Sequence, residues 1–163
     1  MVTPVNIPGI RHALKLIVPF SIISLVILTK WWYAIPVDGP DKLYWGFPFP
    51  FMGEGFHTSM SLQLFVFELV VDFLSYFLIW CILFFFFHIV FQVKSISKIL
   101  IKFSWSLALL CVLGFVILIS ASNPVIRLRR DYDWQLLKTG YVFIWQKTPR
   151  PDIEEFKFLH DKK

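Results

Sequence analysis

LFVFELVVDFLSYFLIWCILFFFFHIVFQ, residues 64–92, is an almost wholly apolar stretch that is long enough for a membrane-spanning helix. It contains two acids, Glu68 and Asp72, which are four residues apart and therefore share one face of a helix. Each ionisable side chain placed in lipid costs about 2.5–3.5 kcal/mol on insertion scales. The two acids are therefore the part of this stretch that needs an explanation beyond hydrophobicity.

The composition of the whole chain indicates an integral membrane protein. Of its 163 residues, 57% are hydrophobic and 17% are charged, and the mean hydropathy is +0.67. Two further apolar blocks occupy residues 16–35 and 103–122. Each is about 30 Å long as a helix, which matches the hydrocarbon thickness of a bilayer. The sequence thus predicts an all-α membrane protein with three transmembrane helices.

Outside the three spans, the sequence predicts an interfacial loop and a C-terminal tail. Residues 36–59, rich in Pro, Gly and aromatic residues, are predicted to be an interfacial loop with Trp45, Phe47, Pro48 and Phe49 at the membrane surface. This loop and the three spans form a predicted membrane domain over residues 1–123. Residues 124–163 are a basic, membrane-proximal tail in which residues 141–145 indicate a short strand.

A polar clamp is the main candidate site. On a three-span path, the end of the first span, the start of the second and the end of the third lie at one interface. Lys30, Glu68, Asp72 and Arg127 are then close together, and the hypothesis is an ion pair of Lys30 with Asp72 or Glu68. The alternative is a proton or cation site formed by Glu68 and Asp72.

Other candidate sites have weaker sequence support. Ser104, Ala108 and Gly114 are small residues at which two helices could approach closely. No metal or cofactor is predicted. A haem held by His12 and His88 is disfavoured because nothing else marks a cofactor pocket.

Neither zinc binding nor catalysis has support from a motif. Zinc on His57 and Glu54 lacks any of the usual ligand patterns. Cys81 and Cys111 lie within predicted spans and do not indicate a disulfide. No nucleophile elbow, phosphate loop or nucleic-acid motif is present, which disfavours an enzyme without excluding one.

The stretch KLYWGFPFP, residues 42–50, followed by a span with an acid near its start, resembles a pattern in small bacterial polytopic inner-membrane proteins of unassigned function. The resemblance implies a bacterial inner-membrane location and brings no activity. The basic connection at residues 92–102 favours a cytoplasmic N-terminus and a tail on the periplasmic side, whereas Arg127, Arg129 and Arg130 after the third span favour the opposite orientation.

The function predicted from these features is that of a non-catalytic accessory, assembly or anchoring subunit of a larger membrane complex. Its expected partners are the lipid bilayer, other membrane subunits or further copies of the chain, and not nucleic acid. The alternative is a small oligomeric transporter or channel that uses Glu68 and Asp72.

Overall fold

The protein combines three helices with one mixed β-sheet. The computed structural model describes residues 8–36, 39–55, 61–91 and 97–151. The helices are α1 (Pro8–Ile27), α2 (Val66–Phe91) and α3 (Lys98–Ala121). The strands are β1 (Leu28–Pro36), β2 (Lys42–Trp45), β3 (Met52–Glu54), β4 (Leu62–Phe65), β5 (Val125–Arg127) and β6 (Trp134–Phe143).

The predicted all-α fold with three spans is wrong, and the first span shows why. Within the predicted span 16–35, α1 ends at Ile27 and the chain continues directly as β1. The strand sequence LTKWWYAIP is rich in β-branched and aromatic residues, which favour strands. An apolar run by itself does not distinguish a helix from a buried strand. Hydropathy therefore could not locate the boundary between α1 and β1.

The sheet has the strand order β5-β4-β3-β2-β1-β6. All neighbouring pairs are antiparallel except β4 and β5, which are parallel. The predicted interfacial loop 36–59 therefore contains two strands, and the predicted tail contributes two more. Because β6 pairs along the whole of β1, the sheet joins residues on both sides of the predicted boundary at 123.

Helices α2 and α3 follow each other in the chain between the parallel neighbours β4 and β5. The predicted spans 64–92 and 103–122 fall on these two helices. Helix α1 packs against both of them. By length and composition, α2 and α3 could each cross a membrane, whereas the apolar part of α1, Leu14–Ile27, is shorter. Most of the apolar side chains of α2 and α3 are exposed.

Each face of the sheet carries a small apolar cluster. Trp31 and Tyr33 of β1 pack with Leu43 and Val142 on one face. On the other face Ala34, Tyr44 and Phe65 form the cluster, against which Trp32, Tyr132 and Trp134 pack. The alternation of side chains along β1 thus contributes residues to both clusters, so β1 is part of the core on each face of the sheet.

Candidate functional site at the junction of helices and sheet

Asp72 lies fully buried where α2 meets the loop between β2 and β3. Its Oδ1 accepts a hydrogen bond from the backbone N–H of Phe49 at 3.0 Å, and its Oδ2 accepts one from the N–H of Phe47. A carboxylate with both oxygens bonded to backbone donors is well satisfied although it is buried. Asp72 therefore fastens the loop of residues 46–51 to the first turns of α2.

Gly46 begins this loop in a conformation that other residues rarely adopt. Its φ is +152°, and a Cβ at this position would lie 2.0 Å from the carbonyl oxygen of Phe49. The same Cβ would lie 2.8 Å from Oδ2 of Asp72. Glycine is thus required both for the backbone angle and for the close approach of the carboxylate.

Tyr76 and Trp80 follow Asp72 at four-residue steps on the same face of α2, and each has a polar group at the end of its aromatic side chain. Tyr76 donates its hydroxyl proton to the carbonyl of Leu28 at 2.5 Å, and Trp80 Nε1 donates to Ser24 Oγ at 2.9 Å. The Trp80 ring also stacks on Phe20, with 4.9 Å between ring centroids. Tyr76 and Trp80 are not among the residues predicted from the sequence, although polar side-chain groups at helical spacing in an apolar helix indicate hydrogen-bond partners.

The other predicted members of the polar clamp have different partners. Glu68 Oε1 accepts a hydrogen bond from the N–H of Arg130 at 3.3 Å. The Nζ atom of Lys30 lies 3.7 Å from the centroid of the Trp32 ring, a cation–π contact. Arg127 pairs with Asp131. The contacts described for Lys30 and Asp72 therefore differ from the hypothesised ion pair.

The four predicted loop residues occupy different surroundings. Trp45 belongs to β2, and its Nε1 donates to Thr148 Oγ1 at 3.0 Å. The ring of Phe47 lies 5.9 Å from that of Tyr76, at the helix–sheet junction. Pro48 is half-buried, whereas the side chain of Phe49 is exposed. Trp45 thus ties β2 to the segment after β6, and Phe47 packs on α2.

The small residues of α3 separate into two groups. Ser104 and Ala108 are both 2% exposed, and they are buried on a helix that packs against α1. Gly114 is exposed, and a Cβ added to it would have no atom within 4 Å among the described residues. The close-contact surface of α3 therefore includes Ser104 and Ala108 but not Gly114.

The histidine and cysteine predictions are only partly within the described residues. The side chain of His12 and all of His57 lie outside them, while His88 is exposed near the end of α2. Within the described residues, no cluster of three or more His, Cys, Asp or Glu side chains could hold a metal ion. Cys81 and Cys111 are free thiols on α2 and α3.

Buried Tyr44 and half-buried Tyr132 form a pair on the face of the sheet that carries Ala34 and Phe65. The hydroxyl of Tyr132 lies 3.1 Å from that of Tyr44 and 3.2 Å from Oε1 of Gln63. Burial raises the pKa of Tyr44 well above its usual range, and the hydrogen bond with Tyr132 raises it further. Burial raises the pKa of Tyr132 as well. The pair therefore remains neutral and acts as a hydrogen-bonding support of the core.

Strand β6 forms one edge of the sheet and is ten residues long. Among the described residues it pairs only with β1. Ile144 donates its N–H to the carbonyl of Ile27 at 3.0 Å. The alternation of an antiparallel ladder then directs the N–H groups of Thr139 and Tyr141 away from β1. The outer side of β6 therefore offers backbone donors and acceptors to another strand.

No family model, curated protein or solved structure matches the chain. The resemblance of residues 42–50 to bacterial inner-membrane proteins therefore stays a prediction.

Proposed function

We propose that this chain is a non-catalytic accessory subunit of a membrane complex in the bacterial inner membrane. In this proposal α2 and α3 cross the bilayer and hold the sheet at one membrane surface. The outer edge of β6 binds an extended segment of a neighbouring subunit, or β6 of a second copy. The bilayer and the neighbouring subunit are thus the two partners.

The apolar surfaces of α2 and α3 support the membrane location. Residues 73–90 and 103–121 contain no Asp, Glu, Lys or Arg. As helices they are about 27 and 28 Å long, close to the thickness of the hydrocarbon layer. Many of their large side chains are exposed, including Phe85 at 69% and Ile117 at 68%. Lipid contact would cover this surface.

The outer edge of β6, which pairs with no strand in the part of the chain that the structure describes, is the observation that carries the accessory role. A long unpaired edge is a template for another strand, and soluble proteins usually shorten, charge or cover such edges. Here the edge strand is among the longest in the sheet and contains one Lys and no acid between Trp134 and Phe143. Strand addition would satisfy its outward backbone groups and give a partner many hydrogen bonds.

A transport role for Glu68 and Asp72 receives less support. Both oxygens of Asp72 are occupied by backbone donors of the loop, so a transported cation would have to displace them. Glu68 Oε2 is buried without a hydrogen-bond partner among the described residues. This single oxygen would not provide the several ligands that a bound cation needs. The contacts of the two acids therefore favour a structural role.

A proline substitution on β6 tests the accessory role. Thr139→Pro removes an N–H that points away from β1, so it should block strand addition and leave the β1–β6 ladder intact. We expect the wild-type protein, purified in mild detergent from its native membranes together with any bound subunit, to have a mass above that of the monomer in light scattering. Thr139→Pro should reduce the mass to that of the monomer.

Thr139→Val is the matched control, because it keeps both the N–H and the preference for a strand. It should retain the assembly. A wild-type protein that is purely monomeric, or an assembly that Thr139→Pro leaves unchanged, would contradict the proposed role of β6.

A further inference from the structure

Two neighbouring cavities extend from the helices to the sheet. The first, of about 300 Å³, lies between the three helices and is lined only by apolar side chains. The second, of about 310 Å³, lies between α1, α3 and the sheet. Leu25, Val26 and Phe115 line both cavities. The two spaces are thus adjacent, and each is large enough for part of a small ligand.

The first cavity reaches the surface of the helical region between α2 and α3. Val70 of α2 and Val112 of α3 both line it, and their exposed fractions are 50% and 40%. Ile22 and Leu25 of α1 also line it. In a bilayer, this opening would face hydrocarbon, so the molecule that enters it is apolar.

The second cavity adds a polar end to this apolar path. Thr29, Gln146 and Thr148 line it together with apolar residues. Thr29 Oγ1 is buried and has no hydrogen-bond partner among the described residues. Thr148 Oγ1 accepts a hydrogen bond from Trp45, which leaves its own proton available to a further acceptor. Buried hydroxyls normally have partners, so these groups point to an oxygen-bearing ligand.

We propose that the two cavities together bind one acyl chain of a bilayer phospholipid. The chain lies between α1, α2 and α3, and its ester carbonyl accepts a hydrogen bond from the hydroxyl of Thr29. No charged side chain lines either cavity, which suits the ester region of a lipid and not a free anion. The inference rests on the proposed membrane location and is independent of strand addition at β6.

Photo-crosslinking with a phosphatidylcholine that carries a diazirine in its acyl chain tests this site. The full chain is reconstituted in vesicles containing this lipid, and crosslinked residues are mapped by mass spectrometry. We expect crosslinks at Val26 and Phe115, which line both cavities, in addition to residues such as Leu110 that any surrounding lipid reaches. Native mass spectrometry in detergent should detect one retained lipid per chain.

Two substitutions address the apolar and polar parts separately. Val26→Phe fills the path and should abolish the retained lipid, whereas Val116→Phe, on an exposed part of α3, should not. Thr29→Val keeps the side-chain shape and removes the hydroxyl. It should weaken lipid retention by about threefold to tenfold, the usual effect of one hydrogen bond.

The outcomes separate this inference from the proposed function. Crosslinks confined to exposed residues, or equal lipid retention by wild type and Val26→Phe, would overturn the lipid site. If Val26→Phe does not fold, two other results remain decisive. Unchanged lipid retention by Thr29→Val would overturn the role of the hydroxyl. Absence of retained lipid from the wild-type protein would overturn the lipid site. A protein that detergent extracts from the membrane but that holds no lipid leaves the membrane location intact.

Discussion

Asp72 is the residue on which the junction between helices and sheet depends. A carboxylate in an apolar helix is expensive, and here two backbone N–H groups of the loop offset that cost. The same loop is also bonded on its other side, because Gly46 donates to the carbonyl of Lys30 at 2.9 Å and accepts from Trp32 Nε1 at 2.9 Å. Asp72 therefore connects α2 to β1 through the loop.

Replacing Asp72 by Asn should destabilise the protein by about 1–3 kcal/mol, because an amide offers one acceptor to two N–H donors. Asp72→Ala should cost more, since both donors then lose their partner. The free energy of unfolding in detergent measures both effects. Asp131→Asn, at an exposed pair with Arg127, is the control and should change stability by less than about 0.5 kcal/mol.

The hypothesised Lys30–Asp72 pair is tested by the same measurement. Lys30→Met and Asp72→Asn should have additive effects to within about 0.5 kcal/mol, because the two side chains have separate partners. A larger interaction energy in the double-mutant cycle would show that the two charges are coupled after all.

Among the elements, α2 and α3 differ from α1 in how completely they expose apolar surface. Helix α1 lies against both and shares polar contacts with them, such as the bond from Trp105 Nε1 to the carbonyl of Lys15 at 2.9 Å. It therefore acts as the support on which the two longer helices pack. The exposed surface belongs mainly to α2 and α3, so these are the elements whose membrane insertion can be tested.

Cys81 and Cys111 are native reporters of that insertion. Each lies near the middle of its uncharged stretch, residues 73–90 and 103–121. We expect both thiols to resist a membrane-impermeant maleimide in intact membranes and to react after denaturation in SDS. Ile99→Cys, at a position that is 80% exposed near the start of α3, should react without denaturation in opened membranes. Rapid labelling of the native thiols would contradict insertion.

In the whole molecule, the sheet brings together the described strands that precede α2 and those that follow α3. Strands β1 to β4 precede α2, and β5 and β6 follow α3, so both groups lie at the same end of the helices. Arg150, which follows β6, forms ion pairs with Asp41 at 3.2 Å and with Glu54 of β3 at 3.5 Å. The protein would therefore present one folded domain to one side of the membrane.

The side on which the sheet lies is testable with single cysteines in a chain lacking Cys81 and Cys111. Lys94, Lys98 and Lys102 favour a cytoplasmic connection between α2 and α3. Leu128→Cys, at a position that is 79% exposed beside the sheet, should be labelled in intact bacterial spheroplasts. Ile99→Cys should be labelled only in inverted vesicles. Labelling of both from one side would contradict the crossing of α2 and α3.

The amino-acid sequence was sufficient to locate α2 and α3, because long uncharged runs have few structural solutions other than a helix. It also singled out Asp72 as a polar residue in an apolar setting. It could not reveal β1, because LTKWWYAIP continues the apolar run of the helix before it with one charged residue and becomes a strand through pairing on both sides.

Only the tertiary structure decided the partners of the polar groups. Gly46, Phe47 and Phe49 approach Asp72 across more than twenty residues of sequence, and β6 reaches β1 across about a hundred. Contacts between such distant residues depend on the sheet as a whole, which local spacing does not encode. For the same reason the two acids that suggested an ion site in the sequence have backbone partners in the fold.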